Sequence, residues 1–142
     1  MSAPLDTHGA VEAIKVLKAR YFRYIDSKQW TDLRALFVDD LHFEHAVIGT
    51  FERADAATAA IAARIGDRVT VHHGHSPEVE VSVDGWSASG IWALHSFSTP
   101  GPDAPASAGR QAYGHYYDEF TRSADGWLIC SVRLVHLYKE PW

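Results

Sequence analysis

The chain has 142 residues, 46% hydrophobic and 22% charged, with a formal net charge of −5 when histidine is counted neutral. That length suits one domain able to bury a core without disulfides or structural metals. Scattered Lys and Arg in an acidic chain argue against nucleic acid, which needs concentrated positive charge. No segment is apolar enough to span a bilayer, so no membrane partner is expected.

The elements follow in order. Residues Asp6–Gly9 open a helix that runs to about Lys28, with an apolar stripe at Ala10, Ile14, Leu17, Tyr21 and Tyr24/Ile25. Thr31 reads as the N-cap of a short helix over 32–37. Asp39 and Asp40 turn the chain into a short strand over 41–45, and an alanine-rich helix covers 55–65 with Gly66 as its C-cap. Beyond Gly66 the period becomes two: Val69 and Val71, then Val79, Val81 and Val83. Asp84-Gly85 is a tight-turn signal between this strand and the next, over 86–98. Residues 99–109 hold three prolines and read as a flexible loop or a lid over a pocket. Strands over 110–122 and 127–138 flank the Asp125-Gly126 turn. Helices first and a long antiparallel meander after them define an α+β fold of one domain over 1–142. A strongly curved sheet of this kind wraps around the N-terminal helices and leaves a cavity between the layers.

Four features carry chemistry. Asp26 stands at the end of the first helix, where a carboxylate faces the negative end of the helix dipole, so it calls for a partner or a function. His72-His73-Gly74-His75 begins the sheet region, His45 ends the first short strand, and Tyr21 precedes Asp26 by five residues. No carboxylate or cysteine stands at ligand spacing beside the histidines, so no metal is expected. Adjacent strand residues point to opposite faces, so His72 and His73 line one pocket together only if a bulge intervenes. Cys130 is the single cysteine and lies in an apolar run, which fits a buried thiol in a reducing, cytoplasmic setting. The start of the chain, 1–7, lacks the apolar core of a signal peptide. Nucleotide-binding and serine-nucleophile motifs do not occur.

The run ARYFRYIDSKQWTDLRALFVDD resembles the opening helices of SnoaL-like proteins, among them scytalone dehydratase, bile-acid 7α-dehydratase and hexachlorocyclohexane dehydrochlorinase. VHHGHSPEVEVSVDGWSASGIWAL is similar to the family's histidine-bearing strand and hairpin, and GHYYDEFTRSADGWLICSVRL to its last two strands. The resemblance spans nearly the whole chain. It implies a cone-shaped barrel of the nuclear transport factor two-like, ketosteroid isomerase-like kind, with a catalytic Asp–His pair. Asp26 matches the aspartate. Counting back from Pro77–Val81 puts His72 on the histidine position, whereas the alternation through Val69 and Val71 puts His73 on the core face; both stay as candidates. Tyr21 matches a pocket tyrosine of the bile-acid enzyme, and His45 stands where scytalone dehydratase has a pocket tyrosine. A second pocket histidine of scytalone dehydratase falls near Ser96–Ser98, where no histidine matches cleanly although His95 is close. That departure argues against scytalone itself.

The implied chemistry is cofactor-free: a lyase of dehydratase type, with His72 as general base, Asp26 fixing its tautomer and Tyr21 stabilising developing charge. Trp92, Phe97, Tyr113 or Tyr116, and Leu134 are candidates for the apolar wall, with His45 and His73 as further substrate contacts. The substrate class is a hydrophobic, cyclic, hydroxylated compound, steroid-like or polyketide-like. An isomerase or polyketide cyclase in the same pocket is the second reading, and a non-catalytic small-ligand-binding domain the third. The resemblance also implies a homo-oligomer, a trimer ahead of a dimer.

Overall fold

The computed structural model describes residues 6–101, 103–105 and 109–140. Three helices, α1 (Thr7–Asp26), α2 (Trp30–Arg34) and α3 (Ala54–Ile65), combine with six strands: β1 (Phe37–His45), β2 (Gly49–Phe51), β3 (Thr70–Val81), β4 (Ser87–Ser98), β5 (Arg110–Ser123) and β6 (Gly126–Lys139). They form one sheet of order β2-β1-β6-β5-β4-β3. All pairings are antiparallel except β1 with β6, which run parallel. The expected α+β architecture holds. The sheet is mixed and its end strands β2 and β3 do not pair, so the curved, cone-shaped sheet stays open between them.

Asp6 caps α1, its carboxylate accepting from Gly9 N at 2.8 Å. The helix buries Ile14, Leu17, Lys18, Tyr21, Phe22 and Ile25, one face at helical spacing. It ends at Asp26 because the N–H groups of Ser27, Lys28 and Gln29 close on the carbonyls of Arg23, Ile25 and Tyr24, with Lys28 at a φ of 56°. Gly66 does cap α3, at a φ of 50°.

Three details depart from the expected elements. The second helix starts at Trp30, so Thr31 lies inside it and Gln29 is the N-cap. The helix stops at Arg34: Leu36 lies in the turn before β1, where its carbonyl accepts from Ile129 N at 2.9 Å, and Phe37 opens β1 opposite Ile129, so contact with β6 overrides helical extension. The short β2 comes from a stretch with too few residues to show a period. Within the 99–109 segment, residues 102 and 106–108 lie outside the described residues, and so does that part of the loop or lid reading.

The phase of β3 decides the site. A bulge separates His75 from Glu78, with Ser76 at a φ of 48°. On its near side Thr70 and His72 point inward and Val69 and Val71 outward, the valines being 59% and 36% exposed. On its far side the inward set is Val79 and Val81, which pack against the core. Alternation read across the valines therefore changes face midway, and His73 lies on the outer, exposed side.

Candidate active site

Asp26 and His72 meet where the end of α1 crosses the first residues of β3. His72 Nδ1 lies 2.7 Å from Asp26 Oδ1, and the two side chains are 17% and 24% exposed. A carboxylate only accepts, so Nδ1 carries a proton, and in the neutral form of the ring Nε2 keeps the lone pair. The His72 backbone N–H donates to Asp26 Oδ2 at 2.8 Å and Thr70 Oγ1 donates to Oδ1 at 2.9 Å. Three donors from β3 thus offset the unfavourable dipole at the C-terminal end of α1 and lock the carboxylate in one orientation. Phe22 stacks on the imidazole, with ring centroids 6.2 Å apart and planes 15° from parallel. Gly74 makes this possible: a Cβ there would come within 2.3 Å of the Phe22 ring. The glycine in His-His-Gly-His thereby protects the ring that flanks the base.

His72 borders a partly open cavity of about 110 Å³ between the helices and the sheet. Ile25, Phe43, Ile48, Ile61, Leu94 and Leu134 provide apolar wall, and Tyr21, Tyr116, His45, Ser96 and His136 bring polar groups. Of the residues singled out in the sequence, Tyr21, His45, His72, Phe97, Tyr116 and Leu134 line it, whereas Asp26 reaches it only through His72. Two more do not line it. His73 faces outward beside His75 and His95, at ring distances of 6.1 and 6.3 Å. Trp92 points inward but packs on Phe120 in the core away from the cavity. Tyr113, the alternative to Tyr116, is on the outer face, stacked on His95 at 4.5 Å. The bulge in β3 and the strict pairing of β4 with β5 explain both outward placements.

Tyr21 and Tyr116 meet edge to face with centroids 5.8 Å apart. Beneath them lies a pair that sequence reasoning missed: Lys18 Nζ sits 2.7 Å from Asp118 Oδ2, both side chains without solvent exposure. The ammonium also lies 3.8 Å from the Tyr21 ring centroid and 3.7 Å from that of Tyr116. Burial holds the Lys18 pKa below its usual value and pushes that of Asp118 up, each partly countered by the other's charge. Burial also raises both phenols, so Tyr21 and Tyr116 remain hydrogen-bond donors throughout the physiological range. The signal was present: Lys18 occupies a core position of the α1 stripe, and Asp118 shares strand parity with Tyr116 and Phe120.

His45 closes the far side. Its Nδ1 accepts from Val47 N at 3.1 Å and Ile48 N at 3.2 Å, so the proton of the neutral ring is on Nε2. Burial first, then the charges of His136, His72, Arg64 and Lys139, push its pKa down to about 3. His136 stands edge to face with it at 5.4 Å. Among the described residues, no group of three or more His, Cys, Asp or Glu side chains is placed to hold a metal ion.

Fold and site together define a class: a curved α+β cone whose cavity presents an aspartate-held imidazole. The SnoaL-like domain family matches residues 7–133, and the chain belongs to that family. Solved structures of the same fold include a candidate scytalone dehydratase from Novosphingobium aromaticivorans, 20% identical over 93% of this chain and 87% of that one, with a TM-score of 0.81. Hexachlorocyclohexane dehydrochlorinase LinA-type3 from Novosphingobium barchaimii is 19% identical over 99% and 94%, with a TM-score of 0.83. The Kfla4162 protein from Kribbella flavida is 26% identical over 95% of each chain, also with a TM-score of 0.83. No described helix is long and apolar enough to cross a membrane.

Proposed function

We propose that the protein is a cofactor-independent lyase of dehydratase type, with His72 as general base and Asp26 as its positioning partner. The observation that carries the reading is the 2.7 Å contact between Asp26 and His72 Nδ1 beside an apolar cavity. Nε2 accepts a proton from a carbon next to an activating group, Asp26 stabilises the imidazolium, and the leaving group departs from the neighbouring carbon. The elimination balances as loss of a proton to His72 and of the leaving group with its bonding electrons. Tyr21, with Tyr116 beside it, donates to oxygen that gains charge in the transition state. LinA-type3 and the candidate scytalone dehydratase bear names that are themselves eliminations, which supports this reading over a cyclase or isomerase using the same base.

The cavity supports a small cyclic substrate. An engineered cavity of about 150 Å³ accommodates benzene, so a cavity of about 110 Å³ takes at most part of a ring system, the rest of a cyclic substrate reaching toward the mouth. His45 and Leu134 are the further substrate contacts; Phe97 borders the cavity but shares the outer face with Val71 by strand pairing. A homo-oligomer is part of the proposal, because Val71, Phe97, Tyr113, Val135, Leu137 and Tyr138 expose apolar surface on the face of the sheet turned away from the helices. The lone, half-buried Cys130 supports a cytoplasmic, reducing setting.

The test is a screen of single-ring β-hydroxy ketones, followed by absorbance of the conjugated product. The best substrate should lose roughly 10²–10⁴-fold in kcat with His72→Gln or Asp26→Asn, with an unaltered circular-dichroism spectrum. Retained turnover in both variants rejects the dyad. A ¹⁵N spectrum of the imidazole offers a check without substrate: His72 should be protonated on Nδ1, and an Nε2–H tautomer refutes the base assignment.

A further inference from the structure

His45 and His72 both line the cavity, and they are held in opposite tautomers. His72 gives its Nδ1–H to Asp26, so its neutral ring has a lone pair on Nε2. His45 is the reverse. It ends β1, and the turn into β2 folds back so that the N–H groups of Val47 and Ile48 donate to its Nδ1 at 3.1 and 3.2 Å. A nitrogen that accepts carries no proton, so the neutral ring has its N–H on Nε2. Among the described residues nothing accepts from that N–H. Phe43 stacks on the ring, with centroids 6.1 Å apart and planes 9° from parallel, and together with the two backbone donors fixes its plane. Burial and then the neighbouring positive charges keep it neutral at physiological pH. The cavity thus offers one imidazole that accepts a proton and another that only donates a hydrogen bond. A half-buried donor of fixed direction without an acceptor is met by a ligand oxygen.

We propose that His45 is a second catalytic residue, its Nε2–H donating to a carbonyl oxygen of the substrate while His72 removes the proton from the carbon beside that carbonyl. This rests on the reading of His72 as the base, and it adds the electrophile and the substrate's carbonyl. His72 Nε2 takes the proton, and the C–H electron pair moves toward the carbonyl oxygen. His45 keeps its own proton and stabilises the charge that arrives there. The electron pair then returns to form the C=C bond as hydroxide leaves the neighbouring carbon and collects the proton from His72 as water. Tyr21 and Tyr116, which also line the cavity, are left to serve the departing oxygen. A neutral imidazole N–H is a proven electrophile for carbonyls, and a donor fixed in advance needs no reorganisation as charge develops. The two histidines cannot exchange roles, because the backbone occupies Nδ1 of His45 and Asp26 occupies Nδ1 of His72.

Cyclohexanone labelled with ¹³C at the carbonyl tests this in the full-length protein, since it presents a ring and a carbonyl with nothing to eliminate. The bound carbonyl resonance should lie downfield of its position in an apolar solvent. That shift should be lost in His45→Leu and kept in Asp26→Asn. On the best substrate of the screen, His45→Leu should lose roughly 10²–10³-fold, mostly in kcat. The unmodified protein gives a second readout that serves if the leucine variant fails to fold: the His45 Nε2–H proton should move downfield when cyclohexanone binds, with Nδ1 unprotonated. A carbonyl shift that persists in His45→Leu hands the role to another donor and overturns the proposal. So does a His45 Nε2–H that the ketone leaves unmoved, or a ketone that does not bind. Turnover retained in Asp26→Asn beside a carbonyl shift that depends on His45 rejects the dyad alone, so the two readings fail separately.

Discussion

Asp26 occupies a poor place for a carboxylate, the last residue of a helix, and its three donors from Thr70 and His72 show what the position is for. The same logic applies to His45, which is buried, shares its surroundings with four positive or potentially positive groups, and is held neutral down to about pH 3. The consequence for stability has a definite sign. The unfolded imidazole binds a proton below about pH 6.5 and the folded one does not, so the unfolded state holds more protons between about pH 3 and 6.5. Stability therefore falls on acidification through that window, by at most about 1.4 kcal/mol per pH unit for this one group. Replacing His45 with Gln should flatten the pH dependence of urea unfolding between pH 4 and 6.5. An unchanged slope refutes the buried neutral state. Asp26 was singled out in the sequence as a helix-end acid, and the resemblance to the family's opening helix matched it to the aspartate. The choice between His72 and His73 was open, since the Val69–Val71 alternation pointed to the wrong face.

At the scale of elements, α1 and β5 are joined by Lys18 and Asp118 under the two phenols. A buried pair of this kind costs desolvation on both sides, and its removal as a unit is far cheaper than removal of one partner. Lys18→Met should cost about 3–5 kcal/mol because Asp118 is left buried and uncompensated, whereas Lys18→Met with Asp118→Leu should recover most of that loss. Chemical denaturation of the three proteins measures it, and additive losses would mean that the groups do not interact. If the pair also aligns the phenols, the double variant should fold well yet lose kcat while KM holds. Most helix and strand positions were legible from periodicity and turn residues. The end of α2 was not, because the contact of Leu36 and Phe37 with β6 spans more than ninety residues of chain. The phase of β3 was not, because one extra residue at the bulge inverts every side chain beyond it.

For the whole molecule, the helices cover one face of the sheet and leave the other exposed. Paired neighbours on that outer face bring Val71 beside Phe97, and His95 beside Tyr113 and then Tyr138. Leu137 is 73% exposed and Tyr138 57%. A second copy of the chain is the occupant we propose for this surface, since monomeric proteins rarely expose a contiguous patch of this kind. Light scattering coupled to gel filtration should report an oligomer, a trimer ahead of a dimer, that dissociates in Leu137→Lys with Tyr138→Lys. A monomer at micromolar concentration for the unmodified protein refutes the assignment.

Composition, helical stripes and turn dipeptides sufficed for the α+β class and for the order helices-then-sheet, because these depend on residues close together in the chain. Asp26, Tyr21 and His45 were identifiable for the same reason: each is odd or matched within its own short segment. Tertiary structure alone decided which histidine meets Asp26, why Gly74 is needed, and that Lys18 and Asp118 are partners. It also brought Arg64, Arg68 and Lys139, from three elements or turns, to the lining of one cavity. Each of these depends on register, on a bulge, or on the meeting of segments more than forty residues apart. No local pattern encodes such contacts, because their energy comes from surroundings that exist only once the chain has closed.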